Sequence, residues 1–164
     1  MAVRIRRADP ARDAAACAEI YAPYVTDSVV SFEEEAPDAD AMAHRIEAAH
    51  EWLVLERDGA VAGYAYGGVH RPRAAYRWST EVSVYVGAAH HRTGVGRALY
   101  LDLFDRLRER GFHLALAGIT LPNPASVAIH EALGFQYVGT YHEIGFKFGA
   151  WHDVGWWELR LAGS

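Results

Sequence analysis

Two glycines, Gly94 and Gly96, lie in the segment His91–Arg97, between an apolar stretch and a predicted helix. Because glycine has no Cβ atom, the backbone can turn tightly there and an anion can approach its N–H groups. The positive end of the helix dipole points at the same place. The segment therefore predicts a phosphate or pyrophosphate site, although an ordinary left-handed turn between strand and helix fits the same two glycines.

The chain has nine histidines and one cysteine, so a metal site and a cysteine nucleophile are two further kinds of chemistry to consider. His90 and His91 are adjacent, so their side chains would diverge on a strand, and no cysteine or carboxylate stands at ligand spacing from them. Cys17 lies in an alanine-rich run, where a small apolar helix residue is a better interpretation than a nucleophile. We therefore expect no metal site and no covalent acyl-enzyme.

The composition limits the class of protein. With 164 residues and 51% hydrophobic content, the chain suits one domain with a sizeable core, over residues 1–164. A formal charge of −5 gives no electrostatic footprint for nucleic acid. A lone cysteine fits a reducing compartment, and no apolar run approaches the roughly 18 residues that a membrane span needs. We expect a cytoplasmic protein that binds neither nucleic acid nor membrane.

The elements that position the glycine segment follow from the hydrophobic pattern. It predicts strands over residues 3–5, 52–55, 61–69, 78–86, 114–120, 135–147 and 154–161, and helices over 10–25, 37–49, 96–110 and 123–133. Residues 148–153 would join the last two strands. On strand 78–86, Glu81, Ser83 and Tyr85 share one face. The order implies a mixed sheet with helices on both faces and one parallel segment around residues 80–120.

The glycine segment resembles the acetyl-CoA pyrophosphate loop of the GNAT acetyltransferase superfamily, with His91 where the family pattern has Gln or Arg. Four further segments resemble the phosphinothricin N-acetyltransferase branch, which includes methionine sulfoximine acetyltransferases: residues 76–78, 81–86, 130–135 and 145–155. The resemblance implies the GNAT fold, a single α/β (α+β) domain whose central mixed, mostly antiparallel sheet of about seven strands is flanked by about four helices. It also implies acetyl-CoA as co-substrate and a homodimer.

The resemblance places the proposed catalytic glutamate of the family at Glu81. Acetyl transfer requires a neutral amine, and an α-amino group with a pKa of about 8 is mostly protonated at neutral pH, so a base is needed. A surface glutamate in a salt bridge is the alternative interpretation. His130 stands where many GNAT enzymes have a tyrosine, and it could orient the amine, relay its proton with Glu81, protonate the CoA thiolate, or be a structural helix residue.

The remaining site residues follow from the same resemblance. Cofactor contacts are implied for Val84, Tyr85, Val86, His91, Arg92, Thr93, Gly94, Val95, Gly96, Arg97, Asn123 and Ser126. Substrate contacts are implied for Phe32, Arg73, Tyr76, Glu81, Val82, Ser83 and His130. An arginine fork suits a carboxylate or phosphinate, and Asn123 also suits a helix N-cap. Arg71 and Arg77 are weaker candidates, with solvent exposure the other interpretation, and Trp151, Trp156 and Trp157 are expected in the core or a subunit interface.

The leading hypothesis is an acetyl-CoA-dependent N-acetyltransferase that acts on phosphinothricin, methionine sulfoximine, methionine sulfone or a related small amino acid by direct attack in a ternary complex. Two alternatives stay open. One is acetyl transfer to another amine, such as a polyamine, an aminoglycoside or a protein N-terminus. The other is a non-catalytic CoA-binding sensor, against which the presence of both Glu81 and His130 argues.

Overall fold

The computed structural model describes residues 2–162, which form seven strands, four α-helices and two short 3-10 turns. The strands are β1 (Val3–Arg7), β2 (Glu51–Arg57), β3 (Ala60–Val69), β4 (Ser79–Val86), β5 (Leu114–Leu121), β6 (Gln136–Lys147) and β7 (Ala150–Arg160). The helices are α1 (Pro10–Thr26), α2 (Ala39–Ala48), α3 (Val95–Glu109) and α4 (Pro124–Ala132). The predicted fold class is confirmed.

All seven strands form one sheet in the order β1-β2-β3-β4-β5-β7-β6. Only the β4–β5 pair is parallel, and the other neighbours are antiparallel. A parallel pair needs a crossover connection, which α3 supplies between β4 and β5. The parallel segment predicted around residues 80–120 is therefore confirmed.

The sheet separates two apolar layers. On one face, α1 and α2 cover a cluster that includes Cys17, Trp52 and Tyr64. On the other face, the buried leucines of α3, Leu99, Leu103 and Leu107, pack against β2 to β5. Alternation along β4 sends Val82 into the α3 layer, while Tyr85 packs against the opposite layer. The neighbouring residues of β4 therefore face different layers of the molecule.

Side-chain caps precede three of the helices, which begin within two residues of the starts that the sequence predicts. Asp9 accepts hydrogen bonds from the amides of Ala11 and Arg12, and Asp38 accepts one from Ala41. Asn123 accepts one from the amide of Ser126 at 3.2 Å. Each cap satisfies backbone donors that have no partner within the helix. Helix α3 differs, because Gly94 precedes it and gives no side-chain cap.

The joining segment predicted over residues 148–153 is wrong. Strand β7 begins at Ala150, which pairs with Lys147, so β6 and β7 form a hairpin around Phe148 and Gly149. Both turn residues have positive φ, 52° and 74°, the conformation that a two-residue hairpin turn requires. The polar residues of 150–153 hide this strand from a hydrophobic pattern.

Candidate active site

The centre of the sheet opens between its two parallel strands. Strands β4 and β5 pair only over Ser79–Glu81 and Leu114–Leu116. Beyond this point β5 pairs on its other side with β7 as far as Leu121, while β4 continues to Val86. The second half of β4 therefore presents one backbone edge to a cleft.

The edge of β4 that faces the cleft is identified by alternation. The amide of Gly87 donates to the Ala62 carbonyl on β3 at 2.8 Å, so the backbone groups of Val84 and Val86 point away from β3. The Val86 carbonyl accepts hydrogen bonds from the Tyr24 hydroxyl at 2.9 Å and from Nε2–H of His91 at 3.0 Å. His91, whose role is open in the sequence, thus fixes the glycine segment to the end of β4.

The glycine segment forms the far end of the cleft. Arg92 and Gly94 adopt positive φ values of 61° and 83°, so the chain turns sharply before α3. With no side-chain cap on that helix, its first amides face the cleft and its dipole makes this end electropositive. The resulting groove has a volume of about 550 Å³. Such an end fits an anionic group that approaches the backbone closely.

The predicted cofactor residues meet in this groove, with one exception. It is lined by Val84, Tyr85, Val86, His91, Arg92, Gly94, Val95, Gly96, Arg97, Asn123 and Ser126. Thr93 is not in the lining, and its hydroxyl instead donates to the His90 carbonyl and accepts from Arg57 at 3.1 Å. Thr93 therefore stabilises the turn through these hydrogen bonds and does not line the groove.

A larger cavity of about 880 Å³ opens at the other end of the cleft and contains Glu81, Ser83 and Phe32. The Glu81 side chain is 40% exposed, and its Oε1 lies 2.9 Å from Nδ1 of His70. Phe32 packs on Gly145, where a Cβ atom would stand only 2.3 Å from the ring. We call this space the acceptor cavity.

His130 lies between the groove and the acceptor cavity. It is 4% exposed and lines a small space of about 80 Å³, which shares Ser83 and Tyr85 with the cavity and Asn123 with the groove. Helix α4 and its N-cap bring Asn123, Ser126 and His130 to the lining of this one space. The site residues therefore form a continuous path from the α3 N-terminus to Glu81.

Burial favours the neutral form of His130, and its hydrogen bonds define the tautomer. Its Nδ1 lies 2.7 Å from the Ser126 carbonyl, which only accepts, so Nδ1 carries the proton. Nε2 then accepts from the Tyr100 hydroxyl at 3.0 Å. Burial lowers the pKa of His130, because the imidazolium would lose its hydration. Since both ring nitrogens already have partners, His130 has no direct hydrogen bond with Glu81.

The segment that carries Phe32 is held by two polar contacts. The buried ammonium of Lys147 donates to the carbonyls of Val25, Ser28 and Ser31 at 2.6, 2.9 and 2.6 Å. Glu33 takes two hydrogen bonds from Arg45, and this guanidinium is the main reason that the pKa of Glu33 lies below its ordinary value. These contacts hold this wall of the acceptor cavity in place. The carboxylate of Glu33, the second one in the cavity, is neutralised by Arg45.

The structure does not bring every predicted substrate residue to the acceptor cavity. Arg73 and Tyr76 line a separate space of about 120 Å³, and they lie directly before and at the end of a 3-10 turn, Ala74–Tyr76. Arg71, the weaker candidate, lines both this space and the acceptor cavity. Val82 is 2% exposed in the α3 layer and reaches only the small space beside His130. Alternation along β4 explains its inward position.

The tryptophans divide between three environments. Trp157 belongs to the core, Trp156 lines the acceptor cavity, and Trp151 is 60% exposed. Several other residues of the site carry no signal in the sequence: His70, Glu33, Tyr100, Tyr141 and Lys147. The β3–β4 register pairs Gly68 with Glu81 and Val69 with Thr80, so the sheet brings His70 near Glu81 only once the hairpin has formed.

The described residues 2–162 contain no cluster of three or more histidine, cysteine, aspartate or glutamate side chains placed to hold a metal ion. None of the helices in that range is long and apolar enough to cross a membrane.

Comparison with known proteins gives the same family as the sequence. The model of the acetyltransferase (GNAT) domain matches residues 5–156. A phosphinothricin N-acetyltransferase of Streptomyces viridochromogenes is 42% identical, over 95% of this chain and 86% of that protein. An L-methionine sulfoximine/L-methionine sulfone acetyltransferase of Salmonella typhimurium is 38% identical, over 96% of this chain and 94% of its own length.

A solved structure extends the comparison to three dimensions. The GNAT superfamily phosphinothricin acetyltransferase of Sinorhizobium meliloti, in complex with acetyl-CoA, superposes with a TM-score of 0.92 at 35% identity. The match covers 99% of this chain and 90% of that one. With the domain match, the curated relatives and the seven-stranded sheet in agreement, the chain belongs to the GNAT acetyltransferase family.

Proposed function

We propose that this protein is an acetyl-CoA-dependent N-acetyltransferase that acetylates the α-amino group of phosphinothricin, methionine sulfoximine, methionine sulfone or a similar small acidic amino acid. The observation that carries the proposal is the continuous cleft, which has an uncapped helix N-terminus at one end and Glu81 at the other. A molecule with an anionic end and a reactive thioester fits the groove. An amine fits the cavity.

Three features support acetyl-CoA in the groove. The first amides of α3 and the left-handed turn at Gly94 suit a pyrophosphate. The free backbone edge at Val84 suits the amides of the pantetheine arm, which would add to β4 like a further strand. Asn123 and Ser126 border the same space from α4. The thioester would then lie towards the small space beside His130.

Glu81 is the proposed base. The ammonium of the acceptor gives a proton to the carboxylate, and the neutral nitrogen attacks the thioester carbonyl, so that the C–N bond forms and the C–S bond breaks. After the attack the nitrogen loses a second proton, and the departing thiolate takes up one proton to become the CoA thiol, so the two protons lost by the amine are balanced by Glu81 and the thiol. His130 is neutral and donates Nδ1–H to a carbonyl, so we assign it to shaping the junction through Ser126 and Tyr100, with no part in proton relay to Glu81.

The charges around the acceptor cavity support an acidic amino acid. Arg71 supplies a guanidinium for a carboxylate or phosphinate. Of the two glutamates in the cavity, Glu33 is paired with Arg45, which leaves Glu81 for the amine. This arrangement favours an acceptor with an amino group and an anionic end. A purely cationic polyamine would leave Arg71 without a partner.

We further propose a cytoplasmic homodimer, as the resemblance to the phosphinothricin branch implies. Strand β6 supports a second copy because it lies at the edge of the sheet and exposes large apolar side chains. These are Tyr137, Val138, Tyr141, Ile144 and Phe146, each more than half exposed. Arg73 and Tyr76, which lie outside the acceptor cavity of their own chain, keep their proposed substrate role only if such an assembly completes the site.

The replacement Glu81→Gln tests the proposed base. We expect kcat to fall about 100-fold or more, the usual contribution of general base catalysis, while the Kd for acetyl-CoA changes less than about twofold because the groove is untouched. Glu47→Gln, on an exposed position of α2, is the matched control and should keep full turnover. Unchanged turnover in Glu81→Gln would remove Glu81 as the base.

A further inference from the structure

His70 lies between two cavities and contacts the proposed base. It follows β3 directly, its side chain is 15% exposed, and its Nδ1 is 2.9 Å from Oε1 of Glu81. Its ring meets that of Trp156 edge-on at 5.4 Å. His70 lines a second space of about 350 Å³, which shares Arg71, Tyr141 and Trp156 with the acceptor cavity but does not include Glu81. The imidazole is thus in contact with the base without lining the acceptor cavity.

The chemistry of the contact defines the tautomer. An ionised carboxylate only accepts hydrogen bonds, so the proton of neutral His70 is on Nδ1 and is donated to Oε1 of Glu81. This hydrogen bond leaves Oε2 to take the proton of an amine. Within residues 2–162, Nε2 of His70 has no hydrogen-bond partner, and it is the atom at which the ring would gain a second proton.

We propose that His70 is a positioning residue for Glu81, and that its protonation at Nε2 switches the base off. The proposal rests on the proposed function, with Glu81 as base. Neutral His70 holds the carboxylate in one orientation through Nδ1–H. A positively charged His70 favours the ionised form of Glu81 more strongly, so the carboxylate becomes a weaker acceptor for the proton of the substrate.

The groups around His70 are few. Glu81 of β4 favours the protonated imidazole, and the neighbouring guanidinium of Arg71 disfavours it. Arg71 donates to the His70 carbonyl at 3.1 Å, so its charge stays close. Trp156 of β7 and Tyr141 of β6, which complete the surroundings, are uncharged at neutral pH.

Two substitutions separate orientation from titration. His70→Phe removes the donor, and we expect kcat at about pH 8 to fall about 10- to 100-fold, the range for loss of a hydrogen bond to a charged group. His70→Gln keeps an amide donor, so it should recover most of that loss. Because Gln cannot gain a charge, its kcat relative to the unmodified protein should rise as the pH falls from about 8 to about 6. The ionisation of the substrate amine cancels in this ratio.

The control is His142→Gln, which removes an exposed imidazole 3.3 Å from the Asp153 carboxylate and outside the acceptor cavity. It should keep a constant ratio at every pH. Full activity of His70→Phe at about pH 8, or a ratio for His70→Gln that does not change with pH, would overturn the proposal. The Kd for acetyl-CoA should stay unchanged in each variant, which shows that the fold is intact.

A double substitution separates this inference from the proposed function. In a Glu81→Gln background, His70→Phe should cost nothing further, because its effect passes through the carboxylate. An additional loss would contradict the inference. If Glu81→Gln alone keeps full turnover, the proposed base is wrong whatever His70 does. If Glu81→Gln is inactive and His70→Phe is fully active, only the role of His70 is wrong.

Discussion

The cofactor groove and the acceptor cavity share one cleft, but the chain builds them in different ways. The groove comes mainly from one continuous stretch, residues 84–97, with the start of α4 on its other side. The acceptor cavity takes side chains from α1, the segment after it, β3 to β7 and the loop that contains Arg71. The groove is therefore a local property of the sequence, whereas the cavity exists only after the whole sheet has formed.

The two regions also bind by different means. In the groove, backbone amides and a helix terminus face the cleft, and a turn with positive φ at Gly94 makes this possible. In the cavity, the charged side chains of Glu81, Arg71 and Glu33 face the space. Changes of side chain should therefore alter the choice of acceptor, and changes of backbone conformation should alter affinity for the cofactor.

The largest expected difference is in KM for the acceptor, between a substitution of Arg71, which lines the acceptor cavity, and one of Arg73, which does not. We expect Arg71→Gln to raise KM for an acidic amino acid about 30-fold, because a charge-assisted hydrogen bond is lost. Arg73→Gln, which changes an exposed residue outside the cavity, should raise it less than about threefold. Steady-state kinetics at saturating acetyl-CoA measure both.

The reverse order would change the account of this cavity. If Arg73→Gln has the larger effect, the acceptor is held by a surface that one chain does not form alone, and the site is completed by a second copy. If neither variant changes KM, the acceptor has no anionic end in contact with these arginines, and acetylation of a different amine becomes the better hypothesis.

A smaller difference, in the Kd for acetyl-CoA, is expected between substitutions of the two glycines of the groove, Gly94 and Gly96. Gly94 has φ +83°, and a Cβ atom there would meet nothing within 4 Å. The only cost of Gly94→Ala is therefore the strain of a left-handed backbone conformation, with no steric clash. A left-handed residue costs about 1 to 2 kcal/mol, and we expect the Kd for acetyl-CoA to rise about tenfold as the turn relaxes. Calorimetric titration measures this change.

Gly96→Ala is the matched control. This glycine has no positive φ, and an added Cβ atom would lie 3.6 Å from Ile129, an ordinary contact. We expect its Kd to stay within about twofold of the unmodified protein. Equal losses at the two glycines would show that the close approach of a ligand, and not the left-handed turn, decides the geometry of the groove.

The contrast between the two regions also explains what the sequence could predict. The strand before the glycines, the turn and the helix after them are encoded within a few residues, so hydrophobic alternation and glycine spacing predict them. Glu81 lies on the same strand and is predicted with them. The seven-stranded sheet with its single parallel pair follows from the order of elements and the family resemblance.

The contacts that the sequence does not predict join residues far apart in the chain. Lys147 and the carbonyls of α1 and its following segment are more than 100 residues apart, and Tyr100 meets His130 across 30 residues. Arg71 and Arg73 are two residues apart in one loop, yet only Arg71 lines the acceptor cavity. No periodicity contains this information.

The measurement that tests the central claim most directly is kcat/KM for a panel of acceptors, with release of the CoA thiol as the readout. The panel holds phosphinothricin, methionine sulfoximine, methionine sulfone and glutamate, with a polyamine as the cationic comparison. We expect the acidic amino-acid analogues to react at least about 100-fold more efficiently than the polyamine, because Arg71 and Glu81 line one cavity and present opposite charges to a small molecule. Reaction with the polyamine alone would contradict the assigned substrate class, and tight binding of acetyl-CoA with no thiol release from any acceptor would contradict the enzyme itself.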